Sequence, residues 1–169
     1  MERTWDGLPV AREPPYAASV VVWRHGASER EFLVLHRLAP GGPAFEGDWA
    51  WTPPAGARLP GEEADDAARR ELYEETGLTL EIIRAHGAAA SEDVALYVAQ
   101  AARDDGVVLD AEHDRFEWLS LDAALERCLP PVVAEGLARA AAWLDAADDR
   151  RRLSQDRHES GTHTREDPR

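Results

Sequence analysis

Three glutamates, Glu71, Glu74 and Glu75, stand at i, i+3 and i+4 of an acidic, alanine-rich run. On a helix turning 100° per residue, that spacing gathers their carboxylates on one face, beside Ala64, Ala67 and Ala68. Left alone such a face is unfavourable. Like charges at this spacing cost a helix roughly 0.2–0.5 kcal/mol per pair, and small alanines let other backbone come close, where solvent screens less. A hard divalent cation reverses the sign: Mg²⁺ or Mn²⁺ prefers oxygen ligands, and two or three carboxylates, a backbone carbonyl and a substrate phosphate complete its shell. The chemistry open to such a set is metal-assisted attack on phosphorus. The competing reading is a solvated acidic face, which the bare Glu-x-x-Glu-Glu favours in a chain of net charge −14.

The frame around the glutamates reverses that balance. Gly56 is followed after five residues by Glu62, and after seven more by Arg70-Glu71-Leu72-Tyr73-Glu74-Glu75-Thr76-Gly77-Leu78. This stretch resembles the Nudix box, the signature of the Nudix hydrolase family, at every fixed position, a match that chance supplies in about one such chain in a million. The resemblance covers Gly56 to Leu78 directly, and the order of elements resembles the family domain from about Tyr16 to Ala147. It implies an α/β fold, a mixed β-sheet between helices in an α/β/α sandwich. It also implies an Mg²⁺-dependent (or Mn²⁺-dependent) pyrophosphohydrolase of a nucleoside diphosphate derivative.

Carried over residue by residue, the resemblance makes Glu71, Glu74 and Glu75 catalytic metal ligands, with Gly56 lending a carbonyl. Arg70 would orient a glutamate through a charge-assisted hydrogen bond. Gly77 would close the helix, and Glu62 would brace the site or reach an outer metal. The family often adds an acid from outside the box. Here Ala111-Glu112-His113-Asp114-Arg115-Phe116-Glu117-Trp118-Leu119 resembles the segment before the last strand in Nudix diadenosine-polyphosphate and nucleoside-triphosphate hydrolases. Glu112 is therefore the expected additional metal-binding and catalytic residue, with Glu92, Asp93 or Asp114 taking that place if the alignment slips. Either Glu71 or Glu112 would accept the proton of the attacking water. The chain departs from the family in one respect: many members have two glycines and a basic residue before the box, whereas this chain has Ala55-Gly56-Ala57-Arg58. Phosphate contacts then fall to Arg58 or Arg37 as forked donors, although Arg37 reads equally well as a strand-end surface arginine.

The elements that must position these residues follow from periodicity and punctuation. Residues 1–15 read as an extended lead-in whose Trp5 docks on the body. Ala18 to Trp23 and Glu31 to Arg37 read as a hairpin around the turn-like 24–28. After a Gly- and Pro-rich loop, Thr52-Pro53-Pro54-Ala55-Gly56 excludes helix, and a helix is expected from about Glu63 to Thr76. Leu78 to Arg84, Val94 to Ala101 and Phe116 to Leu119 read as strands, Leu121 to Arg127 and Val132 to Ala147 as helices. Residues 148–169, with Leu153 their one large aliphatic, read as a disordered polar tail whose His158 and His163 are solvated.

Composition narrows the partners. At 169 residues, 44% hydrophobic, the chain fits one domain with a core. The negative charge, with no basic stripe to offset it, argues against polymeric nucleic acid and leaves a small phosphorylated, nucleotide-derived substrate bridged by a cation. No run of about 18 apolar residues suggests a membrane span, and the first residues lack a secretory layout, so a cytoplasmic protein is expected. Cys128, the single cysteine, reads as a small core residue. Oligomeric state is not legible. The alternative to an enzyme is a non-catalytic nucleotide-sensing Nudix domain; an isopentenyl-diphosphate-isomerase-like activity expects a cysteine before the box, where none stands. Substrate choice falls to the loops 38–51 and 102–113, where Trp49, Trp51 and Phe45 could stack on a base, although packing into the core is the commoner fate of such tryptophans.

Overall fold

The computed structural model describes residues 3–4, 7–39, 41–89 and 91–160. Alternating apolar runs rich in valine and leucine make the central strands. Ala17–His25 (β1) and Arg30–Arg37 (β2) form the expected hairpin, with Trp23 opposite Phe32. The turn is later than the sequence suggested, because β1 runs on to His25 and Gly26 N–H closes it on the Glu29 carbonyl at 2.8 Å. Trp51–Thr52 (β3) pairs with β2, and Ala55–Ala57 (β4) pairs with the start of β1. Val94–Gln100 (β6) lies parallel to β1 over the whole run from Ala17↔Val94 to Trp23↔Gln100. Ile82–Arg84 (β5) is antiparallel to β6, and His113–Leu119 (β7) is antiparallel to β2. The result is a seven-stranded mixed sheet. The strand expected over 78–84 is confined to its last three residues.

Period-two alternation sorts the core into two layers. Val20, Val22, Leu33, Leu35 and Tyr97 face Ala64–Thr76 (α1), which buries Ala67, Ala68 and Leu72 against them. Val21, Phe32, Val34 and Val98 face Leu121–Arg127 (α2) and Pro131–Ser160 (α3), which supply Ala124, Leu137, Ala140, Ala141 and Leu144. This is the helix–sheet–helix sandwich expected. Cys128 is fully buried in the second layer, a small core residue.

Two expectations need correction. The last helix does not stop at Ala147 but continues to Ser160. Propagation from a packed nucleus adds one hydrogen bond per residue ordered, and Arg30 pairs with both Asp145 at 2.6 Å and Asp148 at 2.5 Å where the helix leaves the body. The lead-in is not simply extended either: Arg3 bridges to Pro9, Gly7 N–H donates to the Thr4 carbonyl, and Ala11 N–H donates to the Arg58 carbonyl at 2.8 Å. Trp5, the His158 side chain and His163 lie outside the described residues. Among those described, no helix is long and apolar enough to cross a membrane.

Candidate active site

The site is assembled where β4 runs beside α1. Pro53 and Pro54 cannot donate a backbone hydrogen bond and keep this segment out of helix, so β4 is laid along the sheet with its backbone facing the helix. Ala55 N–H donates to Glu75 Oε2 at 3.0 Å. Gly56 lies so close to α1 that a Cβ there would overlap the Glu71 carboxyl group; the position requires a residue without a side chain, the physical content of the box glycine. Asp65 and Asp66 in the first turn of α1 suit its positive end, and Asp65 accepts from Tyr97 OH at 2.6 Å. At the other end Gly77 adopts φ 69° and donates to the Tyr73 carbonyl, stopping the helix as expected. The last turn carries no basic residue and holds Glu74 and Glu75 against the negative end of the dipole. For the exposed Glu74 that placement is unfavourable by roughly 0.3–1 kcal/mol, and a stability-optimised helix would not show it.

Arg70 organises the carboxylates. Its Nε and Nη2 hold Glu62 in a fork at 2.8 and 3.0 Å, Nη1 donates to Glu71 Oε1 at 2.6 Å and Glu74 Oε2 at 3.2 Å, and Nη2 also reaches the Ala57 carbonyl at 2.9 Å. The Arg70 contact holds the Glu62 carboxyl below its usual range, and these carboxylates raise the guanidinium further. Burial raises Glu71, opposed by Arg70. Glu75 is 4% exposed, and burial pushes its carboxyl up to about 8 despite Arg37 nearby. Its Oε1 has Arg37 Nη2 at 3.7 Å and His113 Nε2 at 4.0 Å. With Arg70 between the carboxylates, no three acidic, histidine or cysteine side chains among the described residues converge as a ready-made cation cage. The donor set nevertheless fits a hard divalent ion: a buried carboxylate that resists ionising alone, a second one packed beneath Gly56, and a third, Glu74, at the rim with 55% of its side chain exposed.

These groups line a cleft of about 350 Å³ together with Arg37, Asp110 and Glu112. Thus Glu71, Glu74, Glu75, Glu112, Arg70 and Arg37 are brought together. Glu112 stands exposed at the rim, and the alternatives fall elsewhere: Asp114 pairs with His36 at 2.5 Å, while Glu92 and Asp93 sit in the loop before β6. Arg58 departs from expectation. Its Nε, Nη1 and Nη2 donate to the carbonyls of Pro15 (2.6 Å), Glu62 (2.6 Å) and Glu13 (2.5 Å), so the shifted cation clamps the lead-in to the box loop and does not line the cleft. Gly56 contributes through its close packing on Glu71.

Sequence reasoning missed Asp110 and the role of His113. His113 is buried, its Nδ1 sits 2.8 Å from Asp110 Oδ1, and its Nε2 has no hydrogen-bond partner. The Arg37↔His113 pairing beside a bulge turns it inward; the polar run 110–115 shows no periodicity that would have revealed this. The tryptophans divide: Trp51 is core at 1% exposure with Phe45 packed on the same layer, whereas Trp49 is 51% exposed.

Set against known proteins, the chain matches the NUDIX domain profile over residues 14–144. It is 31% identical over 120 residues to the asymmetrical bis(5'-nucleosyl)-tetraphosphatase of Caenorhabditis elegans, covering 65% of this chain and 82% of that protein. A match at 32% identity over 150 residues to an octanoyltransferase of Myxococcus xanthus covers 82% of this chain but only 40% of that protein, so it concerns a part of the longer chain. Among solved structures, a C. elegans Ap4A hydrolase binary complex superposes with a TM-score of 0.59 at 27% identity, covering 77% of this chain and 97% of that one.

Proposed function

The chain belongs to the NUDIX domain family of hydrolases acting on pyrophosphate bonds, and from that premise we propose that it is an Mg²⁺-dependent pyrophosphohydrolase of nucleoside diphosphate derivatives, with dinucleoside polyphosphates and nucleoside triphosphates favoured. The observation that carries the reading is the Glu71, Glu74 and Glu75 row on α1: Glu71 packs beneath a glycine that tolerates no side chain, Arg70 holds Glu71 and Glu74, and Glu75 is buried. The Glu112-His113 pair and the similarity to the C. elegans enzyme support the substrate preference.

Glu71, Glu74, Glu75, the Gly56 carbonyl and Glu112 would hold the metal. Bound there, a divalent cation supplies positive charge to the phosphoryl oxygens and eases ionisation of the attacking water. Arg70 fixes Glu71 and braces it through Glu62. Arg37, which lines the cleft and whose Nε is buried without a partner, would meet the substrate phosphates. Either Glu71 or Glu112 would accept the proton of the attacking water. As water oxygen bonds to phosphorus, the bridging P–O bond breaks and its electron pair leaves on the departing phosphate.

The test is a panel of nucleoside diphosphate derivatives with Mg²⁺, scoring phosphate and pyrophosphate release separately. Turnover lost in Glu75→Gln supports the proposal. Nucleotide binding without turnover of any compound overturns it in favour of a sensing domain.

A further inference from the structure

The carboxylate cleft has one wall that the matched domain does not supply. That domain begins at residue 14, yet Thr4 and Leu8 of the lead-in line the cleft together with Ala57, Leu59 and the glutamates of α1. We propose that the lead-in is part of the active site and that Leu8 is a specificity-determining residue. It meets the group at the far end of the substrate's phosphate chain and favours an uncharged one, such as a second nucleoside, over a free terminal phosphate. The inference rests on the pyrophosphohydrolase reading for that phosphate chain.

Three observations carry it. First, the lead-in has its own internal structure. Thr4 N–H donates to the Leu8 carbonyl and Leu8 N–H to Thr4 Oγ1, both at 2.9 Å, while Arg3 bridges to Pro9 and sends Nη1 to the Gly7 carbonyl at 2.6 Å. Ala11, 6% exposed, donates its N–H to the Arg58 carbonyl, and Arg58 N–H donates to the Tyr16 carbonyl, both at 2.8 Å. These backbone bonds do not depend on the Arg58 side chain, so Leu8 is presented at a fixed place.

Second, that place lies toward one end of the cleft. Ala55, Ala57 and Leu59 alternate along one side of it. Arg37 stands at the Ala55 end, its Nη2 3.4 Å from that carbonyl, whereas the lead-in joins the box loop at Arg58, next to Leu59. A phosphate chain lying over the glutamates then has Arg37 toward one end and Leu8 toward the other.

Third, the two ends differ in charge. Among the described residues the cations lining the cleft are Arg37 and Arg70, and Arg70 is engaged with Glu62, Glu71, Glu74 and the Ala57 carbonyl. The lead-in end offers Thr4, Leu8 and Leu59, all uncharged, with Leu8 50% exposed. A terminal phosphate carries up to two negative charges at neutral pH, and beside a row of glutamates it finds no cation there. An uncharged organic group loses nothing in that respect and covers the apolar surface of Leu8.

The test is calorimetric binding, with Mg²⁺, of methylene-bridged analogues of diadenosine tetraphosphate and adenosine tetraphosphate, which share a phosphate chain and differ in whether its far end is esterified. The wild type is expected to bind the diadenosine compound about fivefold or more tighter. Leu8→Ala should bring the two within about twofold of each other, and Leu8→Arg, which places a cation at this end, should reverse the order. Because Leu8 is half exposed, both variants should melt close to the wild type. A wild type that prefers the free terminal phosphate, a ratio that neither variant moves, equal weakening of both compounds, or binding of neither would each overturn the proposal. The expected binding pattern without hydrolysis of the natural compounds would count against the enzymatic reading alone; hydrolysis with a ratio that neither variant moves would leave that reading standing and refute this one.

Discussion

Glu75→Gln separates what this carboxylate does for the metal-free fold from what it does for function. Burial pushes its carboxyl from an ordinary 4.5 up to about 8. Below pH 4.5 the group is protonated in both folded and unfolded chains and has no effect. Between those values the unfolded chain releases a proton that the fold retains, so stability falls as pH rises, and the full penalty is reached above about 8. At about 1.4 kcal/mol per pH unit the penalty is about 4–5 kcal/mol. Glutamine keeps a carbonyl oxygen for Ala55 N–H and gives up the 3.7 Å approach of Arg37; its amide can turn toward the unpartnered Nε2 of His113. In chelator at pH 8.5 the variant should thus be more stable than wild type by about 2–4 kcal/mol, or about 5–10 °C in Tm for a chain of this size. At pH 5 the two should nearly coincide. Adding Mg²⁺ should raise the Tm of the wild type and not of the variant, because binding to the native state alone stabilises by mass action. Thermal denaturation across this pH range, in both buffers, is the assay. A variant less stable than wild type at pH 8.5 in chelator, or a difference that does not grow with pH, refutes the reasoning.

Other substitutions test the remaining parts. Gly56→Ala places a methyl group in the Glu71 carboxyl, and kcat should fall by about tenfold or more at fixed Mg²⁺ while circular dichroism shows a folded chain. Arg70→Lys loses the fork on Glu62 and cannot reach Glu71, Glu74 and Ala57 together, so the apparent affinity for Mg²⁺ in kinetic titration should drop about 10–100-fold. Arg58→Gln, in contrast, should lower Tm with KM unchanged, since its donors serve three backbone carbonyls; a large rise in KM would return it to a phosphate-binding role. Leu72→Ala, beneath the glutamates, should cost about 2–5 kcal/mol in denaturant unfolding.

The helix bearing the glutamates was legible because three signals agree there: acidic and alanine-rich composition, prolines before it and Gly77 after it. The β-branched run Val20-Val21-Val22 likewise announced a strand, which the structure buries on both faces. Contacts distant in sequence could not be read in this way. Nothing local says that Arg58 will find Pro15 and Glu13 across more than forty residues, nor that a bulge at His36 and Arg37 will turn His113 toward Glu75. The run from Asp148 looked unable to order itself because it lacks apolar residues. A helix already anchored by Leu137, Ala141 and Leu144 carries it to Ser160 with no core of its own.

The central claim is that carboxylates on one helix face, with the Gly56 carbonyl, bind a divalent cation where a pyrophosphate is cut. Anomalous diffraction from crystals soaked in Mn²⁺ with a non-hydrolysable dinucleoside polyphosphate tests it most directly. The account predicts manganese peaks at about 2.0–2.5 Å from oxygens of Glu71, Glu74 or Glu75, with Arg70 withdrawn from at least one of them. Manganese bound elsewhere on the chain, or absent from this cleft at millimolar concentration with the analogue in place, would contradict it.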